Sequence, residues 1–145
     1  GFALTAALAG GMNLAAQGIA RHDSRAPVTY DAGNGFLDDR AKRVVLGGGV
    51  IVNQAGLTLR SDRMQIDYSD GDQLEIQRIT ATGGVTITRD NERASGDNAV
   101  YDLNRRIITM AGNVALRRGS DMLNGGRLVI DLDSGLSTVD GSASG

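Results

Sequence analysis

The sequence predicts an all-β fold, a sheet of strands folded over on itself, and three observations predict it. First, one pattern is written three times: Val44 to Val52 followed by Arg63 to Asp67, Ile79 to Ile87 followed by Asn98 to Asp102, and Ile108 to Leu116 followed by Arg127 to Asp131. Gly48, Gly83 and Gly112 each stand 19 residues before Asp67, Asp102 and Asp131, and Gly48, Gly112 and Gly141 each stand 10 after Asp38, Asp102 and Asp131. The repeat is therefore ~29 residues, with six extra residues between Asp67 and Gly83. A period of this size marks one supersecondary unit stacked on copies of itself. Second, apolar residues alternate about each Gly, as in Ile79, Ala81, Val85 and Ile87, which is the signature of a half-buried strand. Third, each repeat carries two columns of small residues: Gly48, Gly83, Gly112 and then Ser61, Gly96, Gly125. Across the second column the apolar parity changes, from Leu59 to Met64 and Ile66 and from Leu123 to Leu128 and Ile130. A parity change needs an extra residue in the ladder, so both columns read as bends.

Taken in order, Gly1 to Ala20 is uncharged and apolar to small, too broken by Gly10-Gly11 and Asn13 for a spanning helix. It reads as a signal-peptide remnant (residues 1–20), with the folded domain occupying 21–145. Arg21 to Pro27 is polar and extended. Val28 to Asp31 opens the first strand, and Gly33 to Asp38 matches the second half of a repeat, with Leu37 in the place of Ile66, Tyr101 and Ile130. Asn53 to Gly56, Arg89 to Glu92 and Arg118 to Asp121 are hairpin links, and Ser69 to Asp72 closes a longer hairpin within the insertion. Links this local favour antiparallel pairing, although a parallel solenoid with one coil per repeat fits the period as well. No sustained helical periodicity follows Ala20.

Composition narrows the function. The chain of 145 residues has 21 Gly, one Pro, no Cys and no Trp, so its core is aliphatic. A net charge of −2 offers no electrostatic reason to bind nucleic acid. The one histidine, His22, excludes Ser-His-Asp chemistry and multi-histidine metal sites, and Gly47-Gly48-Gly49 lacks the Lys of a P-loop. Asp38, Asp67, Asp102 and Asp131 invite comparison with the carboxylate pairs of glycan-cleaving β-helices. They recur once per repeat where a turn begins, however, so they read as turn caps and no catalytic residue, metal or cofactor is assigned. What remains is the inner face, formed by Val50, Val52, Met64, Ile66, Val85, Ile87, Tyr101, Met110, Val114, Leu116, Leu128 and Ile130. These residues either fill a plain core or line a groove for acyl chains, and composition alone does not choose.

Several stretches together resemble the OstA-like, LptA-type family of periplasmic lipopolysaccharide-transport proteins. They are Ala26-Pro27-Val28, Leu46 to Gln54, Ala81 to Val85, Ala94 to Asp102 and Met110 to Val114, and the likeness spans most of Pro27 to Gly141. Only Gly112-Asn113-Val114 keeps the Asn of the motif, since Gly49 and Gly84 replace it elsewhere. The resemblance implies an antiparallel β-jellyroll shaped like a folded taco, in the periplasm of a Gram-negative bacterium. It implies a non-enzymatic bridge that binds the acyl chains of lipopolysaccharide on the inner face. It also implies head-to-tail homo-oligomers, with LptC at the N-terminal edge and LptD at the C-terminal edge. The alternatives are an interaction module of LptC or LptD type and, last, a glycan-cleaving β-helix enzyme.

Overall fold

The computed structural model describes residues 26–141, and among them there are nine strands and no helix. They are β1 (Val28–Asp38), β2 (Arg43–Gln54), β3 (Leu57–Ser61), β4 (Arg63–Asp70), β5 (Leu74–Arg89), β6 (Glu92–Asp102), β7 (Ile107–Arg118), β8 (Asp121–Asp131) and β9 (Leu136–Asp140). Every pairing between them is antiparallel, so the parallel solenoid is excluded. The signal-peptide expectation falls on residues outside those described.

β3 and β4 act as one strand broken at Asp62. β3 pairs with the second half of β2 and with the end of β5, whereas β4 pairs with the first half of β2 and the start of β5. The buried Ser61 hydroxyl donates to the Arg63 carbonyl at 2.8 Å, holding the corner. The insertion lengthens one hairpin, from Asp70 through the turn to Leu74. At the far end β9 closes the second half of β8 only, pairing Leu136 to Asp140 with Asp131 to Arg127. β1 and β9 end the strand order at opposite sides, so the sheet is open and not a closed barrel.

The two columns of small residues turn out to be one crease. Thr82 faces Asn98 and Val85 faces Gly96, so Gly83 and Gly84 together oppose Asp97 alone; Gly112 and Asn113 likewise oppose Gly126. Two residues against one is a bulge, and it bends the strand. The bend needs consecutive left-handed residues: Gly83 and Gly84 have φ of 87° and 63°, and Gly112 and Asn113 have 87° and 51°. This explains why Asn and Gly interchange at the motif's second position, since both tolerate that conformation. Closeness adds a second demand at Gly33, where a Cβ would lie 2.7 Å from the Gly48 carbonyl oxygen.

Folding at this crease lays the two halves of each strand over one another as two layers. The first layer holds Val50 to Gln54, Val85 to Arg89, Ala94 and Val114 to Arg118. The second holds Val44 to Leu46, Met64 to Ile66, Ile79 to Ala81, Ala99 to Tyr101, Ile108 to Met110 and Leu128 to Ile130. One hydrophobic core joins them.

Candidate functional site

The alternation brings all twelve inner-face residues together. Each is at least 90% buried, from Val50, Met110 and Leu128 at 0% exposure to Ile130 at 8%. Between the layers the side chains are in contact, so in this state the interior is packed shut. Toward the mouth, the side opposite the crease, the packing thins to a cavity of about 20 Å³, room for one water. Leu57, Ile87 and Leu116 line it from the first layer, and Ile108, Ile130 and Leu132 from the second. Arg89, Glu92 and Arg93 form its polar rim.

Three features close the mouth, and the first continues the period-two inward phase one step beyond Ile66, Tyr101 and Ile130. Residues just after the repeated Asp fold inward: Tyr68 after Asp67, Leu103 after Asp102 and Leu132 after Asp131, all buried. Each is anchored by its backbone N–H, which donates to the carbonyl of Lys42, Gln77 and Arg106 respectively. The Tyr68 hydroxyl also donates to Asp39 at 3.2 Å. Burial, with help from that carboxylate, raises the Tyr68 pKa above its ordinary value. Next to this row a buried polar chain crosses between the layers. The Tyr101 hydroxyl donates to Gln54 Oε1 at 2.6 Å, and Gln54 Nε2 donates to the Ala26 carbonyl at 3.0 Å. The last feature is a charge row along the first-layer rim, where Arg89 faces Glu92, Glu92 faces Arg118 and Arg118 faces Asp121. Arg118 Nε meets Glu92 Oε2 at 3.0 Å.

The repeated Asp residues serve the turns. Asp38 Oδ1 accepts the Ala41 N–H, Asp102 Oδ1 that of Arg105, and Asp131 Oδ1 those of Asp133 and Ser134. Asp67 differs because its strand runs on past a bulge to Asp70; it pairs instead with Arg43 Nε at 3.0 Å. All four lie on the outer face of the second layer in one cross-strand row. The row reads Asp38, Arg43, Asp67, Arg78, Asp102, Ile107, Asp131. Spread along separate strands with Arg43, Arg78 and Ile107 between them, they do not form an acid–base pair. Among the described residues no cluster of three or more metal-ligating side chains occurs.

The sheet's two ends differ in shape. At β1, Phe36 and Leu37 are 64% and 60% exposed. At the other end no strand among the described residues covers the first half of β8, and Leu123, which faces inward beside Leu116, is 55% exposed. The inner lining thus runs out into solvent at this edge.

Known proteins share this architecture. A solved structure of LptH from Pseudomonas aeruginosa, described as the LptA-homologous periplasmic component of the conserved lipopolysaccharide transport device, superposes with a TM-score of 0.74. The match covers 86% of this chain and 88% of that one at 18% identity, which establishes a shared fold. Comparison with curated proteins found no match by sequence. A family model described as LptA/(LptD N-terminal domain) LPS transport protein matches residues 31–136. That span holds the whole inner face, and the chain belongs to this family of lipopolysaccharide-transport proteins, which are not enzymes.

Proposed function

We propose that this protein is a periplasmic bridge that passes lipopolysaccharide along its interior, acyl chains between the two layers and sugars in water. The observation that carries the reading is the continuous aliphatic lining, which reaches from Val50 to Leu128 without a charged residue and emerges at Leu123 on the open edge. Each methylene buried on such a surface contributes about 0.8 kcal/mol, enough over several chains to hold an amphiphile. The layers are joined covalently through the crease and meet at the mouth through side chains, with the Tyr101–Gln54 hydrogen bond among the contacts that parting them must break.

Assembly follows from the edges. Among the described residues, the outer side of β1 and the first half of β8 have no neighbouring strand, and such an edge is a template for strand addition. A strand added beside Asp121 to Gly125 would cover Leu123 and extend the lining into the next molecule. On this reading copies join head to tail, with the N-terminal edge receiving an LptC-type partner and the C-terminal edge an LptD-type partner. The family description also covers the N-terminal domain of LptD, so a docking module that holds little lipid is the second reading.

A photo-crosslinking residue at Ile87, inward, and at Thr86, outward, tests the choice. Capture of lipopolysaccharide at Ile87 well above Thr86 is expected. Equal labelling at both, with partners still captured at β1 and β8, would favour the docking module.

A further inference from the structure

We propose that Arg89 holds a phosphate of the amphiphile whose acyl chains enter between the layers, a site that rests on the carrier reading above. Arg89 ends β5 on the inner-face phase, one step beyond Ile87, and so stands where the apolar lining meets the rim. Its Nη1 is buried and has no hydrogen-bond partner among the described residues. A buried guanidinium N–H without an acceptor is costly, and the group's fork matches an oxyanion better than any neutral acceptor. The carboxylate facing it across the hairpin, Glu92, is engaged by Arg118 at 3.0 Å. Arg93 also borders the cavity, but it pairs with Thr88 and Arg117 on the outer phase of the strands and is exposed, so it faces away from Arg89. The other acidic groups nearby, Asp90 and Asp121, lie at the hairpin turns and do not line the cavity.

The chemistry of the cavity therefore changes over a short distance. Leu57, Ile87 and Leu116 face its interior, and the Arg89 guanidinium stands at its rim. A neutral lipid uses only the first part and an inorganic anion only the second. A phosphorylated, multiply acylated sugar uses both, and charge-assisted hydrogen bonds to its phosphate would fix which end of the molecule faces the mouth.

Binding of lipid A and of the same lipid with its phosphates removed enzymatically, to the full chain, tests the site. The chains to compare are wild type, Arg89→Gln and Arg89→Lys, with thermal unfolding followed for each. Arg89→Gln is expected to lose about tenfold in affinity for lipid A, since a charged hydrogen bond of this kind carries that much, and nothing for the dephosphorylated lipid. Arg89→Lys is expected to recover part of the loss, because it restores the charge without the fork. Equal losses for both lipids, or none for either, overturn the proposal. Wild-type binding that ignores the phosphates overturns it while leaving the carrier reading intact; failure of wild type to bind either lipid overturns both. Millimolar inorganic phosphate that shields Arg89 from phenylglyoxal as well as lipid A does would reassign the site to free anions and overturn the headgroup assignment.

Discussion

The Tyr101 hydroxyl donates a 2.6 Å hydrogen bond to Oε1 of Gln54, which lies 47 residues away in sequence and in the opposite layer. Both residues are nearly fully buried, and Gln54 is tied in turn to the Ala26 carbonyl. This chain fastens the mouth beside the cavity, so parting the layers at that point means breaking it.

Tyr101→Phe keeps the ring and removes the bond. Leaving the Gln54 carbonyl short of a donor should cost about 1–2 kcal/mol. Chemical denaturation should show that loss with an unchanged m value. On the carrier reading, lipid should also load faster in stopped-flow fluorescence, because one cross-layer contact no longer has to break.

Glycines of the crease should separate strain from clash. Gly49 and Gly112 have nearly the same backbone, φ of 86° and 87°. A Cβ at Gly49 meets nothing within 4 Å, whereas one at Gly112 would lie 2.5 Å from Asp97 Oδ2 and 2.9 Å from its Cβ. Gly49→Ala should therefore cost about 1–2 kcal/mol, the left-handed penalty alone. Gly112→Ala should cost clearly more in the same denaturation assay, because Asp97 cannot swing its own Cβ aside.

Leu132 is 1% exposed and lines the cavity at the mouth. Its truncation to Ala should cost about 2–4 kcal/mol. An apolar fluorophore such as ANS should then bind more strongly to the folded protein, reporting a wider opening.

Asp102→Ala should cost about 1 kcal/mol, the worth of the hydrogen bond that Asp102 accepts from the Arg105 N–H. Asp102→Asn, which keeps an acceptor oxygen, should recover most of it. Calorimetry of the two variants checks this, and a loss of lipid capture in either would mean that the Asp row does more than hold turns.

The longer hairpin of the insertion carries a pH signature. Lys42 Nζ lies 2.8 Å from Asp70 Oδ2, and this contact holds the Asp70 carboxyl below the ordinary carboxylate range and raises the Lys42 ammonium above its own. A depressed acid stabilises above its unfolded pKa and loses that effect as pH falls through the folded value. A raised base stabilises below its unfolded pKa and loses that effect as pH climbs through the folded one. The pair therefore supports the fold across the neutral range and fails at both extremes. Both groups are solvent-exposed, so the effect is small and should fade with salt. Thermal unfolding of Asp70→Asn against wild type should differ slightly at pH 7 in low salt and not at pH 2.

Sequence alone determined the strands, the repeat and the face. Period-two alternation about Gly83 and Gly112 is a local property of the chain, and it placed all twelve lining residues on one side. The recurrence of Asp at turn starts was equally local, and at Asp38, Asp102 and Asp131 the carboxylates accept turn N–H groups as their spacing implied. What only the tertiary structure decided depends on register between strands and on how the layers close. Gly83 and Gly96 read as separate bends because they are 13 residues apart in the chain. Pairing sets them side by side in one crease. Gln54 looks like a hairpin residue until the fold brings Tyr101 over it, and Arg89 looks like a solvated turn charge until the fold buries its Nη1. Whether an aliphatic face is a filled core or a passage was likewise not in the pattern, because both bury the same side chains. The closure comes from Tyr68, Leu103 and Leu132, the next inward steps after Ile66, Tyr101 and Ile130, but the backbone hydrogen bonds that hold them to Lys42, Gln77 and Arg106 are set by the tertiary fold.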